Sequence, residues 1–144
     1  MDRYSGKCLC GAVQFAIRPP SKFIAHCHCR YCRQAHGAPF VTWVGVPDAQ
    51  FELVESEALR WYQSSGQGRR GFCETCGSTM FYASELSAGE IHVVRACIDA
   101  DVIDREPAAH VFFDQKVDWV ELGDSLPKLA SDSKPLAKYK AVPG

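Results

Sequence analysis

The chain has 144 residues and a mass of 15.9 kDa, which suits one domain with a substantial hydrophobic core. Hydrophobic residues make up 47% and charged residues 23%, an ordinary globular balance, and the formal net charge is −1. That excludes an electrostatic basis for binding nucleic acid or an anionic membrane, and no segment approaches the roughly 18 apolar residues of a membrane span.

Ala12 to Ile17 reads as the first strand, ended by Pro19-Pro20. Phe23-Ile-Ala is a second short apolar run that leads straight into Cys27. Arg30 to His36 has room for a short helical turn stopped by Gly37. Phe40 to Val46 is β-branched and aromatic and reads as a strand closed by Pro47-Asp48. Phe51 to Val54 and Leu59 to Tyr62 are two more, followed by a flexible turn over Ser64 to Gly68. Thr79 to Ala83, Ile91 to Arg95 and His110 to Phe113 are further strands. Val117 to Leu122 alternates with period two, the pattern of a half-buried strand. Many short strands with almost no helical periodicity predict a mainly β domain over residues 1–124. From Gly123 the composition turns to Pro, Ser, Lys and Asp, and residues 125–144 read as a loosely packed polar tail.

Seven of the eight cysteines fall into three tight clusters: Cys8-Leu-Cys10, Cys27-His-Cys29-Arg-Tyr-Cys32 and Cys73-Glu-Thr-Cys76. An even count invites a disulfide framework, but other features oppose it. The start, Met1 to Cys8, lacks the apolar core of a secretory signal, so the expected location is cytoplasmic, where thiols stay reduced. The core is large enough to need no staples, and Cys-x-Cys pairs cannot easily meet the geometry of a bridge. Metal binding is the reading these spacings favour.

Cys8-Leu-Cys10-Gly11 and Cys73-Glu-Thr-Cys76-Gly77 each carry glycine after the second thiol. A knuckle that turns backbone N–H groups toward sulfur often needs a positive φ, which glycine tolerates. Together they fit a closed site of four thiolates that pins the N-terminal hairpin to the middle of the chain. The middle cluster is different. Cys27, Cys29 and Cys32 offer three thiolates, and three protein ligands leave one position of a tetrahedral zinc open, the arrangement of catalytic sites. A helix starting at Arg30 would place Cys29 and Cys32 near its N-terminus, which favours thiolate. Arg30 and Arg33 add positive charge that would moderate the centre or meet a carboxylate of an incoming ligand.

Cys97 and His28 are the candidates for a fourth ligand, although apolar packing for Cys97 and a place outside the ligand set for His28 are the favoured readings. His26 is read likewise, and His36, His92 and His110 as isolated surface or core histidines. Cysteine-only ligation would also suit iron–sulfur, but ferredoxin runs are absent and zinc is preferred. Arg69 and Arg70 read as a solvated pair, with holding an anionic substrate as the second reading.

Three motifs in order, Gly6-Lys-Cys8-Leu-Cys10-Gly11-Ala-Val-Gln-Phe15, Cys27-His-Cys29-Arg-Tyr-Cys32-Arg33 and Phe72-Cys73-Glu-Thr-Cys76-Gly77-Ser78, resemble the glutathione-dependent formaldehyde-activating enzyme family. Centromere protein V belongs to the same superfamily. The resemblance continues through His110-Val-Phe-Phe, Trp119 and Asp124-Ser-Leu-Pro127, covering roughly residues 4–129. It implies a β-tent zinc-binding fold of short antiparallel strands with two zinc ions. Cys8, Cys10, Cys73 and Cys76 would form the structural site, and Cys27, Cys29 and Cys32 the catalytic one, approached by glutathione as cosubstrate. Leu129 departs from the family pattern, in which many relatives carry an aromatic residue near the end of the chain.

The resulting expectation is a zinc-dependent carbon–sulfur lyase or synthase acting on a thiol adduct such as S-hydroxymethylglutathione, a detoxification role. Its partner would be a small-molecule thiol, with neither nucleic acid nor membrane involved. The alternatives are a non-enzymatic zinc-binding module with two structural ions, and a same-fold enzyme on another electrophilic or thiol-conjugated substrate.

Overall fold

Period-two alternation in one strand divides the interior of this protein. In β4 (Val41–Pro47) the side chains of Val44 and Val46 enter one apolar cluster, and those of Val41 and Trp43 enter another on the opposite face. The neighbouring strands follow the same rule. In β3 (Phe23–Cys27) Ile24 joins the first cluster and Cys27 the second. In β9 (Glu90–Val94) Val93 and Val94 are split in the same way, as are Phe81 and Tyr82 in β8 (Thr79–Ser84).

The computed structural model describes residues 2–140. The remaining strands are β1 (Tyr4–Lys7), β2 (Gln14–Ile17), β5 (Phe51–Glu55), β6 (Leu59–Gln63), β7 (Gly68–Cys73), β10 (His110–Val111) and β11 (Lys128–Leu129). A single α-helix, α1 (Arg30–His36), follows β3. An eight-stranded sheet has the order β11-β10-β3-β4-β9-β8-β7-β6, and a three-stranded sheet the order β1-β2-β5. All pairings are antiparallel except the two made by β10, with β3 and with β11. The first cluster joins the two sheets: Phe15 of β2 meets Phe81 of β8 edge to face, 5.3 Å between centroids. The second occupies the other face of the large sheet, beneath α1 and the C-terminal segment.

The mainly β class expected from the sequence is what folds, and four local readings change. β1 and β7 are strands that the sequence left unassigned. β7 carries Gly68, Arg69, Arg70 and Gly71, a composition that hides a strand. Gly71 leaves room for the Trp61 and Phe81 side chains that pack against it. The strand expected over Val117 to Leu122 does not exist. That stretch has no sheet partner, and Trp119 is 73% exposed. Alternation alone is not enough where no neighbour offers a ladder of hydrogen bonds. The strand expected over His110 to Phe113 is cut to two residues, because Phe112 takes a left-handed conformation at φ 53° and turns the chain.

The tail is not loose. β11 pairs with β10, and a 3₁₀ segment over Lys134–Tyr139 lies against the second cluster with Leu136 only 4% exposed. A few apolar residues, Leu129, Leu136 and Tyr139, anchor an otherwise polar stretch. Residues 141–144 of the tail lie outside the described residues. No helix among the described residues is long and apolar enough to cross a membrane.

Candidate metal centres

The two sets of cysteines converge in space. The sulfurs of Cys8, Cys10, Cys73 and Cys76 all lie within 4.8 Å of one another, and so do those of Cys27, Cys29 and Cys32. All eight cysteines are free thiols. The closest contacts are 3.7 Å for Cys8–Cys10, 3.8 Å for Cys10–Cys73 and 3.5 Å for Cys27–Cys32. A disulfide requires about 2.05 Å. A tetrahedral zinc with bonds of about 2.3 Å holds its sulfurs about 3.8 Å apart. The spacing therefore fits a shared metal and not a bridge, and both clusters could hold an ion.

The four-cysteine cluster joins the two sheets. Cys8 and Cys10 follow β1, Cys73 ends β7, and Cys76 sits in the turn before β8. Gly11 at φ 83° and Gly77 at φ 79° supply the left-handed turns that follow each second cysteine, a conformation any side chain would strain. The Val13 N–H donates to Cys8 Sγ at 3.3 Å, and the Ser78 hydroxyl lies 3.1 Å from Cys76 Sγ. The Ser78 hydroxyl, helped by backbone N–H groups, brings the Cys76 thiol down to about 5 and so toward the ligating thiolate form.

The three-cysteine cluster is built by β3 and α1. Cys27 ends the strand, Cys29 caps the helix, and Cys32 lies one turn inside it. The Cys32 N–H donates to Cys29 Sγ at 3.3 Å, the side-chain cap that orients this thiol. All three are buried, between 4% and 9% exposed. Hydrogen bonds from Cys27 and Cys29, then the Arg70 charge and the Trp43 indole, hold the Cys32 thiol well below its ordinary range. Trp43 Nε1 donates to Cys32 Sγ at 3.4 Å, and Arg70 Nη2 does so at 3.6 Å. Cys27 moves the other way, raised by its bonds to the two neighbouring thiols and by burial. The donors from Trp43 and Arg70 therefore converge on Cys32 and favour its thiolate.

This cluster opens into a cavity of about 320 Å³, and the four-cysteine cluster contributes nothing to its lining. The walls are mostly apolar and aromatic, among them Phe23, Trp43, Tyr82, Phe112, Leu136 and Tyr139. They come from β3, β4, β8, the turn after β10 and the C-terminal segment.

The arginines expected to serve the site are placed differently. Arg30 is exposed, and Arg33 turns its Nε back to the His28 carbonyl at 3.2 Å. Neither lines the cavity; Arg70 does, stacked with its guanidinium carbon 4.9 Å from the Tyr82 ring centre. Arg70 is 5% exposed, so the solvated-pair reading of Arg69 and Arg70 does not hold for it. Its parity in β7 was the signal available: Arg69 stacks outward on Trp61, and the next residue must face inward. Trp43 had no sequence mark beyond its place in a buried strand.

Among the described residues, no histidine, carboxylate or further cysteine joins the three sulfurs. Cys97 is half-buried between the two apolar clusters, its thiol raised to about 11 by burial. His28 Nε2 lies 2.8 Å from His110 Nδ1, and His110 Nε2 lies 2.9 Å from an Asp124 carboxylate oxygen. The relay ties β3 to β10 and to the chain leading into β11. His26 pairs with Thr42, His36 packs edge-on against Trp43, and His92 bonds Glu90.

A family model described as glutathione-dependent formaldehyde-activating enzyme matches residues 3–115. A Halomonas elongata protein provisionally named for that same activity is 28% identical over 124 residues, covering 81% of this chain and 79% of its own. An uncharacterized lyase of Schizosaccharomyces pombe is 31% identical over 83 residues, covering 58% of this chain and 59% of its own. A crystal structure of a Rhodobacter sphaeroides protein superposes with a TM-score of 0.57 at 26% identity, covering 67% of this chain and 88% of its own.

Proposed function

This chain belongs to the glutathione-dependent formaldehyde-activating enzyme family, and on that premise we propose that it is a zinc-dependent carbon–sulfur lyase or synthase acting on a thiol adduct such as S-hydroxymethylglutathione. The observation that carries the reading is the asymmetry of its cysteine clusters. Four thiols close on one another away from the cavity, and three line it with no fourth protein ligand among the described residues.

Cys8, Cys10, Cys73 and Cys76 would hold a structural ion, and Cys27, Cys29 and Cys32 the catalytic one. Zinc held there would supply Lewis acidity and favour the thiolate of an incoming thiol at neutral pH. The protein's own side chains set the conditions. Arg70 and Trp43 neutralise and orient Cys32, which limits the negative charge that a fourth sulfur must approach. The helix cap fixes Cys29, and the aromatic walls exclude water from the reacting atoms. In the forward direction the thiol sulfur bonds the carbonyl carbon and its proton ends on the former carbonyl oxygen. The reverse breaks the C–S bond and returns thiol and aldehyde. Arg30 and Arg33, off the cavity wall, would act on the approach of an anionic thiol. A cytoplasmic location agrees with eight free thiols.

Metal per chain, measured with and without excess glutathione, tests this. Two equivalents that fall toward one, with a change in the cobalt-substituted spectrum, support an exchangeable site. Two equivalents and an unchanged spectrum would overturn it.

A further inference from the structure

The cavity on the three-cysteine cluster is larger and more apolar than a one-carbon carbonyl group needs. Its 320 Å³ lies at the low end of the roughly 300–1,000 Å³ typical of small-molecule sites. A water occupies about 30 Å³ of liquid, and formaldehyde is not much larger. Nor do the walls suit a tripeptide with two carboxylates and an ammonium. Arg70 gives Nη2 to Cys32 and stacks on Tyr82, which leaves its Nε and Nη1 as buried donors without a partner, and His92 is bonded to Glu90. Gln115 accepts from the Arg30 N–H and donates to Ser131. Lys140, which is exposed, is the remaining charged residue of the lining. Arg70 Nε and Nη1 could receive one carboxylate, but the ammonium of a tripeptide pushed inside would lose hydration with no acidic side chain in the lining to replace it.

We infer that the cavity receives the apolar body, an aryl or branched alkyl group, of the carbonyl partner, while the polar part of the thiol stays outside. The inference rests on the thiol-adduct reading and names its substrate class. The thiol R–SH adds to R′–CHO to give R–S–CH(OH)–R′, with the S–C bond formed, the proton moved to oxygen and no net oxidation. R′ is the group that fills the cavity. Its size limit is set by the C-terminal segment, because Leu136 and Tyr139 form one wall and Ala25 of β3 belongs to another.

The test is calorimetric binding to the full-length, zinc-loaded chain of two stable thioethers, S-benzylglutathione and S-methylglutathione. The benzyl conjugate is expected to bind at least about tenfold more tightly, since its ring leaves water for apolar walls. Leu136→Trp and Ala25→Leu fill the cavity from the C-terminal segment and from β3. Each is expected to bring the two affinities within about twofold of one another, with metal content and melting temperature near those of the parent, and either variant suffices if the other misfolds. Equal affinities in the parent chain, or a benzyl preference that survives a folded filling variant, would overturn the inference. Benzyl alcohol, which carries no sulfur, separates the two readings. If it binds in a Leu136-dependent way but glutathione leaves the metal untouched, the thiol chemistry fails and the cavity assignment stands. If glutathione perturbs the metal and the benzyl conjugate has no advantage, the cavity assignment fails alone.

Discussion

Arg70 places its Nη2 3.6 Å from the sulfur of Cys32, and the two residues lie on different elements, β7 and α1, 38 positions apart. A buried guanidinium against a thiolate is a strong charge-assisted contact, because the low-dielectric surroundings screen it little. It links the sheet to the helix that carries Cys32. It also marks the one thiol of the three that carries charge most readily.

Replacing Arg70 with Met keeps much of the stem and removes the charge. The Cys32 thiol then titrates higher, so at a given pH less of it is thiolate. Alkylation of Cys32 in the metal-free protein is expected to slow at neutral pH, and metal at this cluster to be lost to a chelator about tenfold more readily. Arg70→Lys should fall between the two, since it retains charge without the planar fork. An unchanged alkylation profile for Arg70→Met would show that Trp43 and the neighbouring thiols suffice.

The two cysteine clusters should respond differently to loss of a ligand. Cys76→Ser is expected to lower solubility and melting temperature, because an ion held by the four cysteines would join two sheets and contribute directly to folding. Cys29→Ser should leave the fold intact and abolish turnover. Thermal denaturation of both variants beside an activity assay decides the matter, and equal behaviour would erase the division of labour.

Glu90 gives the clearest pH signature. Burial alone would raise its carboxyl, but hydrogen bonds from His92 and Lys22, the His92 charge and the Tyr139 hydroxyl prevail and hold it at about 2. Lys138 lies 3.6 Å away on the C-terminal segment. A depressed carboxylate stabilises the fold above its unfolded value, 4.5, and the contribution disappears as pH falls toward about 2. Glu90→Gln should therefore cost on the order of 2 kcal/mol at neutral pH. The gap between parent and variant should close between pH 4.5 and about 2 in urea denaturation. Because Tyr139 and Lys138 meet Glu90, the variant should also loosen the wall of the cavity.

His110 has no exposed surface and bridges His28 to Asp124. His110→Ala opens a cavity and strands two polar partners, with an expected loss of about 2–4 kcal/mol. Asp124→Ala removes a partner that is partly solvated and should cost less than His110→Ala. Equilibrium unfolding in urea measures both. A larger effect for Asp124 would mean that the chain leading into β11 depends on this contact more than its exposure suggests.

Much of this was legible before folding. Cysteines at one- and two-residue spacing announced two converging sets of thiols that could hold metal, glycine after Cys10 and Cys76 announced left-handed turns, and Arg30 to His36 announced the helix. The strands from β2 to β6 were readable because their residues bury a face or carry β-branched side chains. β7 was not, since its two glycines and two arginines are chosen by what packs above and between them. Val117 to Leu122 misled for the opposite reason, an alternating pattern with no neighbour to pair with.

The sequence by itself determined the family, the mainly β class and the partition of seven thiols into four and three, because those follow from local spacing and from residue type. Only the tertiary structure brought Arg70 and Trp43 to the sulfur of Cys32 and made a polar tail wall the cavity with Leu136 and Tyr139. The reason is geometric. Which side chain faces which depends on strand register and on sheet neighbours far apart in the chain, and neither is encoded in the spacing of any single segment.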